Sequence, residues 1–165
     1  FGYCRVLLRE ELPAWPFWTG LGPEPLGMPP QQLAMHFARS FAGRRSSVKA
    51  VLLDQSVVAG VGNIYADESL FSAGIDPRSR AADVPEEKLA LLAKALQAVL
   101  QQSIDECGSS IRDYRDALGN AGAFQNSFAV YGRKGENCKS CELALEACKL
   151  SGRGTVFCPN CQKRF

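Results

Sequence analysis

Cys138 and Cys141, then Cys158 and Cys161, stand as two Cys-x2-Cys pairs with 16 residues between them. A two-residue gap lets both thiolates of one tight turn aim at a common centre. Two such knuckles joined by a hairpin supply the tetrahedral four-sulfur shell that zinc accepts. Turn-compatible residues lie inside each knuckle (Lys139-Ser140, Pro159-Asn160), and Ser151-Gly152-Arg153-Gly154 offers a hairpin turn before Thr155-Val156-Phe157. A redox dithiol would need one pair and not its twin. Four sulfurs leave no coordination position for a substrate, so the expectation is one structural Zn²⁺ held by Cys138, Cys141, Cys158 and Cys161. The chain has seven cysteines, an odd number that excludes a fully paired disulfide framework. Cys4, Cys107, Cys148 and the single His36 read as packing or surface positions.

A second chemical feature is Val57-Val58-Ala59-Gly60-Val61-Gly62-Asn63. The glycines at 60 and 62 let the chain turn twice and let a phosphate approach the backbone. Asn63 then stands where a helix begins, where unbonded amides and the dipole favour an anion. An ordinary helix-to-helix turn with Asn63 as its cap accounts for the same residues. Lys49, on the preceding helix, could reach the same phosphate.

Charge points the same way. The net charge is only +2, but Met28 to Leu53 holds Arg39, Arg44, Arg45 and Lys49 with no Asp or Glu, and Val130 to Phe165 holds seven basic residues against three Glu. Two separate basic stretches are a footprint for a polyanion, although short runs of Lys and Arg also simply solvate surfaces.

These residues need positioning elements. Leu33, Phe37 and Phe41 share a face of a helix from Gln31 to Phe41, stopped by Gly43. Ser46 or Ser47 caps a second helix through Asp54, and a third runs from Asn63 to about Ala73, closed by Gly74. Asp83-Val84-Pro85-Glu86-Glu87 carries a cap, a first-turn Pro and acidic residues on the dipole. It starts a long helix that ends at Gly108, with Leu89, Leu92, Leu96, Val99 and Leu100 toward the core. Between Trp15 and Pro30 the breakers Pro16, Gly20, Gly22, Pro23, Pro25, Gly27 and Pro29 read as a linker. Tyr3 to Leu8 looks like a strand. The fold class is therefore mainly α, four helices before a small zinc hairpin. No apolar run reaches the ~18–20 residues of a membrane span, and the start Phe1-Gly2-Tyr3-Cys4-Arg5 carries no signal-peptide pattern. The expectation is an intracellular protein, cytoplasmic or nucleoid-associated, that lacks an upstream part.

Lys49 to Pro77 (KAVLLDQSVVAGVGNIYADESLFSAGIDP), Ser109-Ser110-Ile111-Arg112-Asp113-Tyr114, Phe128-Ala129-Val130-Tyr131-Gly132-Arg133 and Gly152 to Gln162 together resemble the C-terminal half of a formamidopyrimidine-DNA glycosylase. The resemblance covers essentially the whole chain. It implies a helix-two-turn-helix bundle and a Cys4 zinc finger belonging to a bilobal enzyme that clamps damaged duplex DNA. The other lobe would be a β-sandwich carrying an N-terminal Pro nucleophile and an adjacent Glu, of which residues 1–27 would hold only the last strand and the linker. Residues 28–118 would form the helix-two-turn-helix domain, and 119–165 the end of the lesion loop and the finger. The family flips an oxidised purine (8-oxoguanine or a formamidopyrimidine) out of the helix, displaces it through a Schiff base and nicks the strand by β,δ-elimination.

By the same resemblance Lys49 and Asn63 hold phosphates beside the lesion, and Arg44 or Arg45 is a nearby DNA contact. Arg153 contacts phosphate and serves the δ-elimination. Tyr131 matches another phosphate contact, or equally a tyrosine at the core edge. Ser109, Ser110, Arg112 and Tyr114 belong to the loop that closes over the extruded base, which favours the formamidopyrimidine type over the endonuclease VIII type. Two departures stand out: Ser109-Ser110 replaces a pair of threonines, and Glu142 stands where the family favours Gly, straining the first knuckle. The implied protein is a monomer with damaged double-stranded DNA as partner and no membrane. A stand-alone, non-catalytic DNA-binding module is the alternative.

Overall fold

The computed structural model describes residues 4–110, 119 and 121–165. The expected strand falls partly outside them, and within them Cys4–Leu8 is not a strand. Among the described residues no neighbouring strand takes its backbone hydrogen bonds, Val6 and Leu8 are 94% and 64% exposed, and a 3-10 turn, Arg9–Ala14, follows. The Pro-rich stretch is more structured than a linker. It contains α1 (Pro16–Thr19) and a 3-10 turn at Pro25–Gly27. It is also fastened down: Gly22 N donates to Gln55 O at 2.8 Å, and the Gln97 amide donates to the carbonyls of Pro25 and Met28 at 2.7 and 2.8 Å.

Helix α2 (Pro30–Phe41) buries Leu33, Phe37 and Phe41 as its spacing requires. Helix α3 is shorter than expected, Val48–Leu52, because the chain leaves helical geometry for the Gln55-shaped turn described below; Ser47 caps it by accepting from Ala50 N. Helix α4 runs Asn63–Ala73 and ends at Gly74, φ +67. Helix α5, Glu86–Asp105, starts on Pro85 without a side-chain cap. Asp83, expected as its cap, instead closes a 3-10 turn at Ala81–Asp83, and Glu86 and Glu87 meet the dipole. Leu89, Leu92 and Leu96 are buried, while Val99 and Leu100 are half-buried near the helix end. Helix α5 packs along α2 and α4, and the core between them includes Val48, Leu52, Val58 and Leu70. No helix among the described residues is long and apolar enough to cross a membrane.

The C-terminal part is a two-stranded antiparallel hairpin, β1 (Glu146–Leu150) with β2 (Arg153–Phe157), in the register Cys148 opposite Thr155 and Leu150 opposite Arg153. Ser151 and Gly152, both at positive φ, form the two-residue turn, so Arg153 and Gly154 already belong to β2. The hairpin has its own small core of Val130, Leu145, Val156 and two of the cysteines, covered by Phe71 of α4. Its tail is stitched to the end of α4. Asp76 N donates to Lys163 O at 2.8 Å, Lys163 N to Gly74 O at 3.0 Å, and the Gln162 amide to Ile75 O at 2.8 Å. Arg78 forks onto Asp76 and lies 4.1 Å above the ring of Phe157.

Candidate nucleic-acid interface

The four knuckle cysteines converge as their spacing demands. Their sulfurs all lie within 4.8 Å of one another, Cys138 to Cys161 at 3.9 Å and Cys141 to Cys158 at 3.5 Å. A tetrahedral shell with metal–sulfur bonds of about 2.3 Å has sulfurs about 3.8 Å apart, so the cluster could hold a metal ion. Backbone N–H groups of Ser140 and Cys161 point at the Cys138 and Cys158 sulfurs, both at 3.4 Å. Glu142 sits at φ +64, the strained position expected from its place after the first knuckle.

Helix α4 is the hub of the remaining geometry. The turn before it is shaped by Gln55, whose side chain accepts from Gly60 N at 2.9 Å and donates to Val61 O at 3.0 Å. That turn delivers Asn63 to the amino end of an 11-residue helix, whose first-turn amides have no intrahelical acceptor. Three clefts meet at Asn63. One of about 360 Å³ is lined by Gln55, Gly60, Gly62 and Arg153, one of about 320 Å³ by Tyr131, Lys134 and Gly154, and one of about 320 Å³ by Tyr65, Gly108 and Ser109. Asn63 Nδ2 donates to Gly154 O at 3.0 Å, while its Oδ1 is buried with no hydrogen-bond partner. Arg153 is exposed at the mouth of the first cleft.

Lys49 does not point into any of these clefts. Its side chain has no exposed surface, and its ammonium meets Asp67 Oδ1 at 2.6 Å, Thr155 Oγ1 at 2.7 Å and Gly154 O at 3.1 Å. The ammonium donates to Thr155 and Gly154 and is paired in charge with Asp67, so its surroundings are filled by protein oxygens. The expectation that Lys49 holds a phosphate is therefore corrected: three protein oxygens occupy the place a phosphate would need. Burial pulls the Lys49 ammonium below its ordinary pKa against the opposing pull of Asp67. Burial likewise raises Asp67 to about 6 despite Lys49 and the Val156 amide.

Glu68, next on α4 and only 6% exposed, accepts from three consecutive backbone amides, Ala129 at 2.8 Å, Val130 at 3.0 Å and Tyr131 at 2.7 Å. This carboxylate fixes the segment that brings Tyr131 into the second cleft. The Tyr131 ring also packs edge-on against Phe128, so it serves the core edge and lines the cleft at once.

Comparison with known proteins agrees with this layout. The profile of the formamidopyrimidine-DNA glycosylase H2TH domain matches residues 21–115. The chain belongs to the formamidopyrimidine-DNA glycosylase family. It is 58% identical over 163 residues to the formamidopyrimidine-DNA glycosylase of Nitratidesulfovibrio vulgaris, covering 99% of this chain and 44% of that protein. It is 46% identical to that of Rhodopseudomonas palustris, covering 99% and 58%. The MutM (Fpg) protein of Thermus thermophilus superposes with a TM-score of 0.85 at 41% identity, covering 95% of this chain and 59% of that one. Lactococcus lactis Fpg, solved with DNA containing an abasic site, superposes at 0.83 and 36% identity, covering 94% and 56%. The chain thus spans about half the length of the relatives it matches.

Other positions singled out by resemblance to this glycosylase family fall at different places in the fold. Arg44 pairs with Asp54 at 3.1 Å and Arg45 is exposed; neither lines the clefts around Asn63. Ser109 lines the third cleft, and its hydroxyl is buried without a partner. Ser110 ties its own segment to the one that begins at Ala121: its N–H donates to Gln125 Oε1 at 2.9 Å and its hydroxyl accepts from Gly122 N at 2.8 Å. Only glycine fits at 122, since a Cβ there would lie 2.1 Å from Gly108 O. Arg112 and Tyr114 lie outside the described residues. His36 donates to Val57 O at 2.7 Å, a structural tie, as expected of a residue outside the metal cluster.

Sequence reasoning missed Asp67, Glu68, Gln55 and Thr155. A signal for the first two was present: α4 carries Asp67-Glu68-Ser69 at its centre with apolar residues on every side, which fits a helix packed on more than one face.

Proposed function

We propose that this chain is the DNA-binding C-terminal part of a base-excision-repair glycosylase and abasic-site lyase that removes oxidised purines, 8-oxoguanine and formamidopyrimidines, and nicks the strand by β,δ-elimination. The observation that supports this best is the convergence of Asn63, the amino end of α4 and the exposed Arg153 on adjoining clefts, brought from two separate parts of the fold. A helix amino end favours an anion, and a guanidinium grips a phosphate through paired hydrogen bonds. Arg153 is a poor proton donor, since its pKa stays above ~12, so its part in elimination is to bind phosphate and stabilise charge. Tyr131, Arg45 and the more constrained Arg44 are further contacts to the backbone of damaged duplex DNA. The Ser109–Ser110 neck carries the loop that covers the extruded base, with Arg112 and Tyr114 on it.

The metal is Zn²⁺, one per chain, held by Cys138, Cys141, Cys158 and Cys161; when bound it supplies the folding energy of the finger and no chemistry. The domain division is 1–27, 28–118 and 119–165, the partner is DNA with no membrane, the protein is monomeric, and a DNA substrate places it inside the cell.

Phosphate contacts predict weak duplex binding that falls steeply with salt. Arg153→Ala should weaken binding alike for all sequences and lower the slope of log K against log salt by about 0.9, the value for one phosphate. Fluorescence anisotropy between about 50 and 200 mM salt, the range in which such contacts matter, is the measurement. Salt-independent binding, or a sequence-specific loss in the variant, would sink the assignment.

A further inference from the structure

The Gly154 carbonyl accepts from two side chains of different elements, Lys49 Nζ of α3 at 3.1 Å and Asn63 Nδ2 of α4 at 3.0 Å. The same Lys49 also holds the next residue, through Thr155 Oγ1 at 2.7 Å, with Asp67 as its fully buried counter-ion. Residue 154 is the immediate neighbour of Arg153, which is exposed at the mouth of the cleft beside Asn63. From this geometry we infer that Lys49 and Asp67 are positioning residues for Arg153: they set where the hairpin carbonyl sits, and with it the direction from which the guanidinium meets a phosphate, without touching DNA themselves. The inference rests on the DNA-binding reading above.

Charge arrangement supports the same division of labour. Lys49 and Arg153 are close enough to repel. Asp67 neutralises the inner cation, so the cleft presents the outer one alone to an incoming anion. A buried ammonium without that carboxylate would be an uncompensated charge. A lysine free to address phosphate would need exposed surface, and Lys49 has none.

The test is a double-mutant cycle on duplex DNA carrying a tetrahydrofuran abasic-site analogue, read as affinity and as salt slope. Lys49→Met should weaken binding about as much as Arg153→Ala and lower the salt slope by the same ~0.9, and the double variant should bind no more weakly than Arg153→Ala alone. A merely destabilising change would reduce the fraction of competent protein and leave the slope where it was. Further weakening by Lys49→Met in the Arg153→Ala background, with a second decrement of slope, would restore Lys49 as a direct phosphate ligand and overturn the inference. So would an unchanged affinity in Lys49→Met. If the single variant does not fold, Lys49→Met combined with Asp67→Leu removes the buried charge, and zinc release of about one equivalent confirms an intact finger before the cycle is run. A wild-type chain whose DNA binding ignores both salt and Arg153→Ala would bring down the DNA-binding reading first and this inference with it, an outcome separate from the additive one.

Discussion

Placing Lys49 against Asp67 out of contact with water pushes both groups toward neutrality, and this has measurable consequences residue by residue. Asp67 in the folded chain sits at about 6, above the ordinary 3.8, so the folded state holds its proton more tightly than the unfolded state does. Its contribution to stability is therefore fully present below pH 3.8 and is lost as the pH rises through 6. Carbon-detected NMR of the Asp67 carboxyl between about pH 8 and 5 should show titration well above the ordinary aspartate range. A carboxyl still fully ionised at pH 5 would show that the Lys49 charge outweighs burial. Removing one partner is the severe change: Asp67→Ala should cost about 3–5 kcal/mol in urea unfolding, whereas Lys49→Met with Asp67→Leu should recover most of that loss. The pair is also where the sequence was least legible. A lysine in a basic stretch ordinarily reads as surface, and only the three-dimensional approach of β2 to the gap between α3 and α4 turns Lys49 inward.

At the scale of elements, helical periodicity placed α2 to within a residue, because Leu33, Phe37 and Phe41 on one face are a strong local signal, and the start at Asn63 with the stop at Gly74 placed α4. Cysteine spacing alone placed the knuckles, since the metal-binding geometry is set within each turn. What local signals missed was contact between elements. The strand read at Tyr3–Leu8 has no partner among the described residues, and the Pro-rich stretch is ordered by Gln55 and Gln97, far along the chain. The finger and the helices have separate apolar cores. Zinc removal should accordingly undo one before the other. A colorimetric zinc reporter with thiol titration should register about one equivalent. Cys138→Ser or chelation should abolish hydrogen-exchange protection across β1 and β2 while amides of α2 and α5 stay protected. Release of no zinc from a folded, reduced sample would end the zinc assignment, and uniform loss of protection would end the two-core account.

For the whole molecule, the family resemblance assigns the nucleophile to a proline amine with an adjacent Glu on the other, β-sandwich lobe. The 165-residue polypeptide should therefore bind abasic-site DNA without forming a Schiff base. Borohydride trapping on an abasic duplex should leave no covalent adduct on a denaturing gel, while the same chain joined to a Pro-Glu-bearing lobe should give one. An adduct formed by this chain alone at catalytic rates would place the reacting amine within it, and would favour neither the division of lobes nor a purely binding module. The stitching of Gln162, Lys163 and Phe165 onto Gly74, Ile75, Asp76 and Ser79 bears on engineering. Although its four cysteines all fall within residues 138–161, this finger is not a portable cassette. Grafted onto another scaffold without Lys49, Asp67, Glu68 and the turn after α4, it would keep its metal and lose its aim, so the unit that recombination or design can exchange intact is the helical body together with its finger.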